Sequence, residues 1–241
     1  MAMLSNSLER VVPDMMTGNE TTGDETLMLH LERYHYAGKH LVPGTVADIA
    51  CGVGYGSYLL ATQYLQPGSR ITAVDIDAAS IDYARSKYKH SAIDFFIGDA
   101  AGFQFQQPVN NVVSLETIEH LPQPAQFIQH ISRQMVKGGR FIASAPVTPS
   151  MDANPYHLHD FTVGTFKQMF FKAGLKEVHS FMQVQPYRPF SLLGRKEERS
   201  KDLRKNIAGY YLQYPSKFFL RLTSLVKDGF TNKYLVAVFE K

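Results

Sequence analysis

The stretch Val46-Ala-Asp-Ile-Ala-Cys-Gly-Val-Gly-Tyr-Gly-Ser57 decides the fold of this 241-residue chain. It begins as a short apolar run, breaks at Gly52, Gly54 and Gly56, and continues into an apolar helical pattern. This order predicts a buried strand, a tight turn and the start of a helix. Glycine suits such a turn because it adopts positive φ at little cost and lets backbone approach a ligand closely. Free N–H groups at the helix start add a partial positive charge, so the stretch predicts a cradle for part of a nucleotide-like ligand.

The spacing of the glycines narrows the choice of ligand. A dinucleotide-binding turn follows Gly-x-Gly-x-x-Gly, and Ser57 stands where its third glycine should be. A P-loop needs a lysine after its glycines, and none is present here. Asp48 lies inside the first strand, where a carboxylate would repel a pyrophosphate but would suit a ligand carrying an ammonium or sulfonium group. The glycine turn alone leaves the identity of the cofactor open.

Composition and charge narrow the class of protein. The length fits one large domain or one domain with an elaboration, and 44% hydrophobic residues are enough for a sizeable core. The formal charge of +3 is too small to imply bulk nucleic-acid binding. A single cysteine fits a reducing compartment, and we find neither a signal-peptide pattern at the start nor an apolar run long enough to span a bilayer. We therefore expect a cytoplasmic protein without a membrane span.

Hydrophobic periodicity predicts strands that alternate with helices. The predicted strands are 45–50, 70–75, 93–97, 109–116, 140–145, 175–184 and 233–239. The predicted helices are 25–41, one after the glycine turn, 78–89, 124–136 and one that starts at Thr162 as N-cap and runs to residue 173. This alternation predicts an α/β fold with a mainly parallel sheet that is covered by helices on both faces.

The sequence predicts one domain, 1–241, with four parts. These are an N-terminal arm and helix (1–42), a core (43–184), a helical insertion (185–232) and the last strand (233–241). Residues 1–24 are polar and rich in turn formers, which predicts a mobile arm or lid. The insertion is far longer than an ordinary connection but too small to fold by itself.

The insertion is the basic part of the chain. Its cations are Arg188, Arg195, Lys196, Arg199, Lys201, Arg204 and Lys205, followed by Tyr210, Tyr211 and Tyr214. This pattern fits either a solvated helix face or a lid that meets an anionic substrate. Residues 216–226 are amphipathic, and we expect them to pack on the sheet domain or on a second copy of the chain in a homodimer, rather than on a membrane.

Polar side chains follow the predicted strands where a ligand would bind. In an open parallel sheet, ligands lie beyond the carboxyl ends of the strands. Asp75 ends the second strand, Asp99 follows the third, Glu116 ends the fourth, and His120 lies one turn further on. All four residues are expected at the same edge of the sheet as the glycine turn. This shared location favours a binding site over four unrelated polar residues that simply face solvent.

Four runs occur in order along the chain: Asp48-Ile-Ala-Cys-Gly-Val-Gly-Tyr-Gly56, Val74-Asp-Ile-Asp77, Gly98-Asp-Ala100 and Glu116-Thr-Ile-Glu-His-Leu121. Together they resemble the class I S-adenosylmethionine-dependent methyltransferases, over roughly residues 27–184 and the last strand. The resemblance implies a Rossmann-like seven-stranded sheet and S-adenosylmethionine as the cofactor. Many family members have glycine where this chain has Ala50, but alanine is small and we expect cofactor binding to survive.

For the methionine end of the cofactor, the resemblance implies contacts with Asp48 and with the backbone of Ala50, Gly52 and Gly54. Arg33 or Tyr34, on the helix before the first strand, could meet the cofactor carboxylate. The alternative for both residues is packing on the helix surface.

For the rest of the cofactor, the resemblance places Asp75 on the ribose and Ile76 against the adenine. Asp99 with Ala100 would contact the adenine edge, and Glu116 would line the floor beneath the sulfonium.

Methyl transfer is an in-line displacement at a sulfonium carbon, so the enzyme supplies alignment and desolvation, and a base if the acceptor is a hydroxyl. His120 is the candidate base, because neutral imidazole is available near pH 7. The alternative is a structural histidine that bonds a loop carbonyl. The loop Asn154-Pro-Tyr-His-Leu-His-Asp160 offers Tyr156, His157 and His159 as acceptor contacts. His157, His159 and Asp160 could also form a metal cluster, but no further acid completes that set and we expect no metal.

The acceptor is the least determined feature. Three short runs, Glu9-Arg-Val-Val-Pro13, Leu29-His-Leu-Glu-Arg-Tyr34 and Asn154-Pro-Tyr-His157, resemble methyltransferases of sugar, cell-surface polysaccharide and secondary-metabolite pathways. This looser resemblance favours O-methylation of a small, anionic acceptor such as a sugar or sugar nucleotide. The alternatives are N- or carboxyl-methylation of another small metabolite, RNA or protein methylation, an NAD-dependent oxidoreductase, and a non-catalytic cofactor-binding scaffold. Without a nucleic-acid-binding module in the sequence, we expect no nucleic-acid partner.

Overall fold

A seven-stranded sheet forms the centre of the chain in a computed structural model, which describes residues 7, 10–16, 21–186 and 202–241. The strands are β1 (Val46–Ile49), β2 (Ile71–Asp75), β3 (Ile93–Ile97), β4 (Val109–Leu115), β5 (Met135–Pro146), β6 (Lys176–Pro186) and β7 (Thr231–Glu240). Their order across the sheet is β3-β2-β1-β4-β5-β7-β6, and β7 runs opposite to the other six strands, antiparallel to both β5 and β6. The predicted mainly parallel, seven-stranded α/β fold is confirmed.

Seven α-helices surround the sheet in the described part of the chain. They are α1 (Thr21–Lys39), α2 (Tyr55–Gln63), α3 (Ala78–Lys87), α4 (Pro124–Arg133), α5 (Val163–Lys172), α6 (Ile207–Gln213) and α7 (Pro215–Asp228). Two buried apolar clusters pack against the sheet, as the pattern of nearly continuous apolar strands requires. Strand order reverses between β1 and β4, which creates the crevice in which ligands bind in folds of this kind.

Three predicted boundaries are wrong. The helix predicted over 124–136 ends at Arg133, because Met135 already pairs with Val109 in the sheet. The strand predicted from residue 140 therefore begins five residues earlier, and Gly138, at a φ of +76°, accommodates the irregular register there. The first helix begins at Thr21, inside the stretch predicted as a polar arm.

The sequence predicted a mobile arm or lid over residues 1–24, and residues 10–16, a part of it that the structure describes, are packed against the core. Val12 is fully buried, and Arg10 forms an ion pair with Asp77 at the start of α3 (2.8 Å). Asp14 accepts a hydrogen bond from Tyr83 (2.9 Å) and pairs with Lys87. These contacts hold residues 10–16 against α3, beside the carboxyl ends of β1 and β2.

The described part of the insertion is helical, as predicted. Its α7 buries no residue, and its Phe219 side chain is 62% exposed. The association of this face with a second copy of the chain stays a prediction. Five of the predicted cations, Arg188, Arg195, Lys196, Arg199 and Lys201, lie outside the described residues. Among the residues that the structure does describe, we find no helix with the length and apolarity needed to cross a membrane.

Removing the Phe239 ring tests how far the last strand anchors the sheet. Phe239 is fully buried, and its ring stacks on that of Phe170 with 3.9 Å between centroids. Phe239→Ala should lower the free energy of unfolding by about 3–5 kcal/mol in urea titrations, because it leaves a cavity in the core. Phe230→Ala is the control, since that ring is 57% exposed and its loss should cost less than about 0.5 kcal/mol. Equal losses in the two variants would contradict this account of the core.

Candidate functional site

The glycine turn connects β1 to α2 as predicted. Gly54 is the N-cap of α2 at a φ of +88°, and a Cβ on Gly56 would lie 1.9 Å from Cζ of Tyr34. Glycine is therefore required at residue 56, because the ring of Tyr34 occupies the space of a side chain. Ala50 also has a positive φ, +60°, which costs an alanine about 1 kcal/mol relative to glycine.

A buried carboxylate lies beneath this turn. Asp48 is 1% exposed and accepts hydrogen bonds from Ser57 Oγ (2.5 Å) and Tyr34 Oη (3.2 Å). Burial raises the pKa of Asp48 to about 7, although the two hydrogen bonds lower it. Ser57 thus has a function of its own at the position where a dinucleotide-binding turn would have glycine.

A cavity of about 530 Å³ opens above the turn, at the carboxyl ends of β1, β2, β3 and β4. Of the residues predicted to bind cofactor, those that line it are Arg33, Tyr34, Ala50, Gly52, Asp75, Ile76, Asp99, Ala100 and Glu116. Asp48, on β1 beneath the turn, and Gly54, at the start of α2, do not line it. Asp48 is therefore positioned to hold the wall of the cavity in place.

Asp75 connects the end of β2 to the glycine turn. Its carboxylate accepts hydrogen bonds from the backbone N–H groups of Gly52 (2.8 Å) and Asp77 (2.9 Å). Each carboxylate oxygen has a second lone pair, so Asp75 keeps capacity for donors in the cavity. Ile76 is 71% exposed and presents an apolar surface at the same end of the sheet, while Asp99 accepts from Ala101 N–H (2.9 Å).

Arg33 is a buried cation in the cavity wall. It is 2% exposed, donates to Gln183 Oε1 (2.8 Å) and lies over the ring of Tyr234, 4.3 Å from its centroid. Its guanidinium is 3.6 Å from Glu116 Oε2, and Glu116 also accepts from Ser144 Oγ (2.7 Å). These contacts rule out simple packing of Arg33 on the helix surface.

A second cavity, of about 270 Å³, adjoins the first. Both cavities are lined by His30, Arg33, Glu116 and His120. The second is also lined by Glu119, His157 and Arg221. Two molecules bound in the two cavities would therefore come close to each other beside the four side chains that line both cavities.

Three side chains at this junction lie close together. Glu119, His120 and His157 each offer one ligand atom, and these atoms all lie within 4.8 Å of one another. Glu119 is fully buried, and the two imidazole rings have centroids 4.7 Å apart. Burial, and then the charge of His120, lower the pKa of His157 to about 3, so this ring is neutral near pH 7.

The other two predicted acceptor contacts, Tyr156 and His159, lie elsewhere. Tyr156 is 49% exposed and His159 Nε2 donates a hydrogen bond to Leu121 O (2.9 Å), and neither residue lines either cavity. Asp160 accepts from the backbone N–H of Ser150 (2.8 Å) and pairs with Lys217. The alternative cluster of His157, His159 and Asp160 does not form among the described residues.

Sequence reasoning missed several lining residues. They are Arg10, Val11, His30, Tyr55, Glu119 and Arg221. Glu119 directly precedes His120 in the run Glu116-Thr-Ile-Glu-His-Leu121. Its position next to the candidate base was the one sequence feature that could have pointed to it. His30 bonds Tyr55 Oη (2.7 Å) across twenty-five positions of sequence, a pairing that periodicity alone does not reveal.

Comparisons with known proteins agree with this geometry. Residues 43–185 match a family model described as a methyltransferase domain. A protein of Mycolicibacterium smegmatis named as a probable S-adenosylmethionine-dependent methyltransferase is 26% identical over 70% of this chain and 64% of its own length. A malonyl-[acyl-carrier protein] O-methyltransferase of Anoxybacillus flavithermus is 28% identical over 52% of this chain and 48% of that protein. The match thus spans less than two thirds of the length of these curated relatives.

A solved structure extends the likeness to the fold. The N-methyltransferase NodS from Bradyrhizobium japonicum, in complex with S-adenosyl-L-homocysteine, superimposes with a TM-score of 0.59. The superposition covers 97% of this chain and 96% of that one at 14% identity.

The raised pKa of Asp48 predicts a pH-dependent stability. Between about pH 4 and pH 7 the unfolded chain has ionised this carboxyl while the folded chain keeps it protonated, so stability falls as pH rises across this window. The Asp48→Asn variant has no titrating group at this position, so it does not lose this stability as pH rises. Its free energy of unfolding minus that of the parent should therefore increase by roughly 1–4 kcal/mol from pH 4 to pH 7. Chemical unfolding of both proteins at several pH values measures this difference. Asp94→Asn, at an exposed aspartate, is the control, and a difference that does not change with pH would contradict the burial argument.

Proposed function

The chain belongs to the class I S-adenosylmethionine-dependent methyltransferase family, and from that premise we propose that it transfers a methyl group from S-adenosylmethionine to a small-molecule acceptor. The observation that carries the proposal is the pair of adjoining cavities with four lining residues in common. One cavity holds the cofactor and the other holds the acceptor, so that the methyl group passes between them at the junction.

In this proposal the cofactor lies across the carboxyl ends of β1, β2 and β3. The backbone of Ala50 and Gly52 holds its methionine end, and Asp75 accepts hydrogen bonds from its ribose hydroxyls. Ile76 packs on the adenine, and Asp99 with Ala100 contacts the adenine edge. The two acids and the exposed isoleucine all line the larger cavity, which supports this arrangement.

Arg33 is the cation available for the cofactor carboxylate. It is already fixed by Gln183 and by the ring of Tyr234, so little side-chain entropy is lost when it binds an anion. Tyr34 has a different role, because its hydroxyl is engaged with the buried Asp48. Tyr34 and Asp48 then act as positioning residues for the glycine turn.

We place the acceptor in the smaller cavity, with the hydroxyl to be methylated beside His120. The described wall carries two arginines, Arg33 and Arg221, and two glutamates, Glu116 and Glu119. These charges balance, so the proposal of an anionic acceptor, such as a sugar or sugar nucleotide, rests on the basic sequence of the insertion. An amine or a carboxyl group of another small metabolite is the second candidate, because the relatives of this chain are named for different acceptors, among them a malonyl-[acyl-carrier protein].

Calorimetry distinguishes this function from an oxidoreductase. We expect heat of binding with S-adenosylhomocysteine and none with NAD. Asp75→Ala should weaken the binding of S-adenosylhomocysteine by about 1–3 kcal/mol, because it removes a partly buried hydrogen-bond acceptor. Asp94→Ala, which changes an exposed aspartate paired with Arg70, should leave affinity unchanged. Heat with NAD alone would refute the assignment.

Release of S-adenosylhomocysteine across panels of sugars, sugar nucleotides, amines and phenolics identifies the acceptor. With a hydroxyl acceptor, His120→Ala should lower kcat by about 10²-fold or more, since a group that handles the acceptor proton is lost. His179→Ala, at an exposed histidine on β6, is the matched control. Unchanged turnover in His120→Ala would remove the catalytic role of that residue.

Turnover confined to RNA or protein would refute the small-molecule acceptor, and no turnover in any panel would favour a cofactor-binding scaffold.

A further inference from the structure

Methyl transfer to a hydroxyl requires the loss of a proton at the junction of the two cavities. His120 can serve this step either directly as a base or as a ligand of a cation that acidifies the hydroxyl. We propose that Glu119, His120 and His157 bind a divalent transition-metal cation, with Zn²⁺, Co²⁺ and Mn²⁺ as the fitting class. The role of this cation in turnover rests on the proposed function, but its binding does not.

The ligand set fits such a cation. Two imidazoles and one carboxylate suit zinc and its neighbours in the first transition row, whereas Mg²⁺ and Ca²⁺ prefer oxygen ligands alone. His120 Nε2 is 4.0 Å from Glu119 Oε1. Ligands about 2.1 Å from a tetrahedral zinc ion lie roughly 3.4 Å apart, so His120 and Glu119 need to close by about 0.6 Å, and no pair among the three needs to close by more than about 1.4 Å.

Hydrogen bonds orient both histidines for metal binding. Nδ1 of His120 lies 3.3 Å from the carbonyl oxygen of Tyr156, which can only accept, so the proton of the neutral ring is on Nδ1. Its Nε2 then presents a lone pair on the side of Glu119. Nδ1 of His157 lies 2.7 Å from Ser150 Oγ, a hydroxyl that can donate or accept, and this contact holds the orientation of the second ring. Metal-binding histidines characteristically have their other ring nitrogen fixed by such a partner.

Electrostatics favours a cation between these groups. Glu119 is fully buried, and attraction between charges is strong where water is excluded. A divalent cation between these groups is attracted to the carboxylate of Glu119 and accepts a lone pair from each imidazole.

The backbone brings the three ligands together before any cation binds. Glu119 and His120 lie on the short 3-10 helix Ile118–His120 after β4, and His157 lies in the loop after β5. A hydrogen bond from Leu158 N–H to Glu119 O (2.9 Å) joins the two segments beside the ligands. The site is therefore built by the fold and does not depend on chance proximity at the surface.

Three protein ligands leave at least one coordination position open, and all three side chains line the acceptor cavity. An acceptor hydroxyl bound there loses its proton to water, because the cation lowers the pKa of the hydroxyl. The resulting oxygen anion attacks the methyl carbon of S-adenosylmethionine, forming the O–C bond. The C–S bond breaks, and its electron pair stays on sulfur, which gives S-adenosylhomocysteine. His120 is then a ligand and not the base.

Metal titration of the chelator-treated full chain tests the site directly. We expect one equivalent of Zn²⁺ to bind by calorimetry, and Co²⁺ to give the visible absorption of a cation with nitrogen ligands. Glu119→Gln and His157→Gln should each weaken Zn²⁺ binding by more than about tenfold. His159→Gln is the matched control, because His159 lies two residues away in the same loop, bonds Leu121 O and lines neither cavity. Retained binding of S-adenosylhomocysteine shows that each variant is folded.

The outcomes separate the metal site from the proposed function. No binding of Zn²⁺, Co²⁺ or Mn²⁺ by the parent, or equal weakening in His159→Gln, would overturn the site. Turnover that is lost on chelation and restored by Zn²⁺ would support both the site and its role. Turnover that resists chelation and His157→Gln would overturn the catalytic role. Tight metal binding without turnover on any acceptor would support the site while refuting the methyltransferase activity.

Discussion

The buried carboxylate of Asp48 is the constraint on which the functional end of the sheet depends. It lies on the central strand β1 and accepts hydrogen bonds from Tyr34 on α1 and from Ser57 on α2. Three consecutive elements, α1, β1 and α2, are thus tied at one point, directly beneath the glycine turn. A buried carboxylate is costly unless its partners stay in place, so the arrangement favours a single position of the turn. The ring of Tyr34 also contacts the backbone at Gly56, where it leaves no room for a side chain, and this contact fixes the position of the turn sterically.

Above this point, the reversal of strand order between β1 and β4 determines where chemistry can occur. Strand ends on one side of the crevice supply Asp75 and Asp99, and those on the other supply Glu116 and the short helix with His120. Glu116 has a φ of +51°, an uncommon conformation for a residue with a side chain, at the boundary of the two cavities. Its bond from Ser144 and its proximity to Arg33 stabilise that conformation. Backbone strain therefore lies at the place where cofactor and acceptor meet, as it often does at functional sites.

Local patterns in the sequence predicted those features that local chemistry determines. The strand predicted over 93–97 agrees with β3, and Thr162 is the N-cap of α5, because alternation and capping are encoded by neighbouring residues. The position of β5 was predicted less well, since Met135 enters the sheet only through its pairing with Val109. The sequence predicted His120 and His157 as acceptor-side residues, but it did not predict Glu119 or the close approach of all three side chains, for the same reason. His157 reaches it by a return of the chain from β5, and neither hydropathy nor spacing specifies that return.

The helical insertion is coupled to this junction through the loop that carries His157. Arg221 on α7 donates to Asp152 (2.6 Å) and to Pro149 O (2.7 Å), and Lys217 on the same helix pairs with Asp160 (2.7 Å). Although burial raises the pKa of Asp152, the hydrogen bonds from Arg221 and Tyr211 lower it overall, so the carboxylate stays charged and holds the loop. Partly buried ion pairs of this kind add little net stability but are costly to break, and their effect is to select one loop conformation. Removal of α7 would therefore release the loop that positions His157. The insertion is thus a structural part of the acceptor cavity, in addition to any contact that it makes with a substrate.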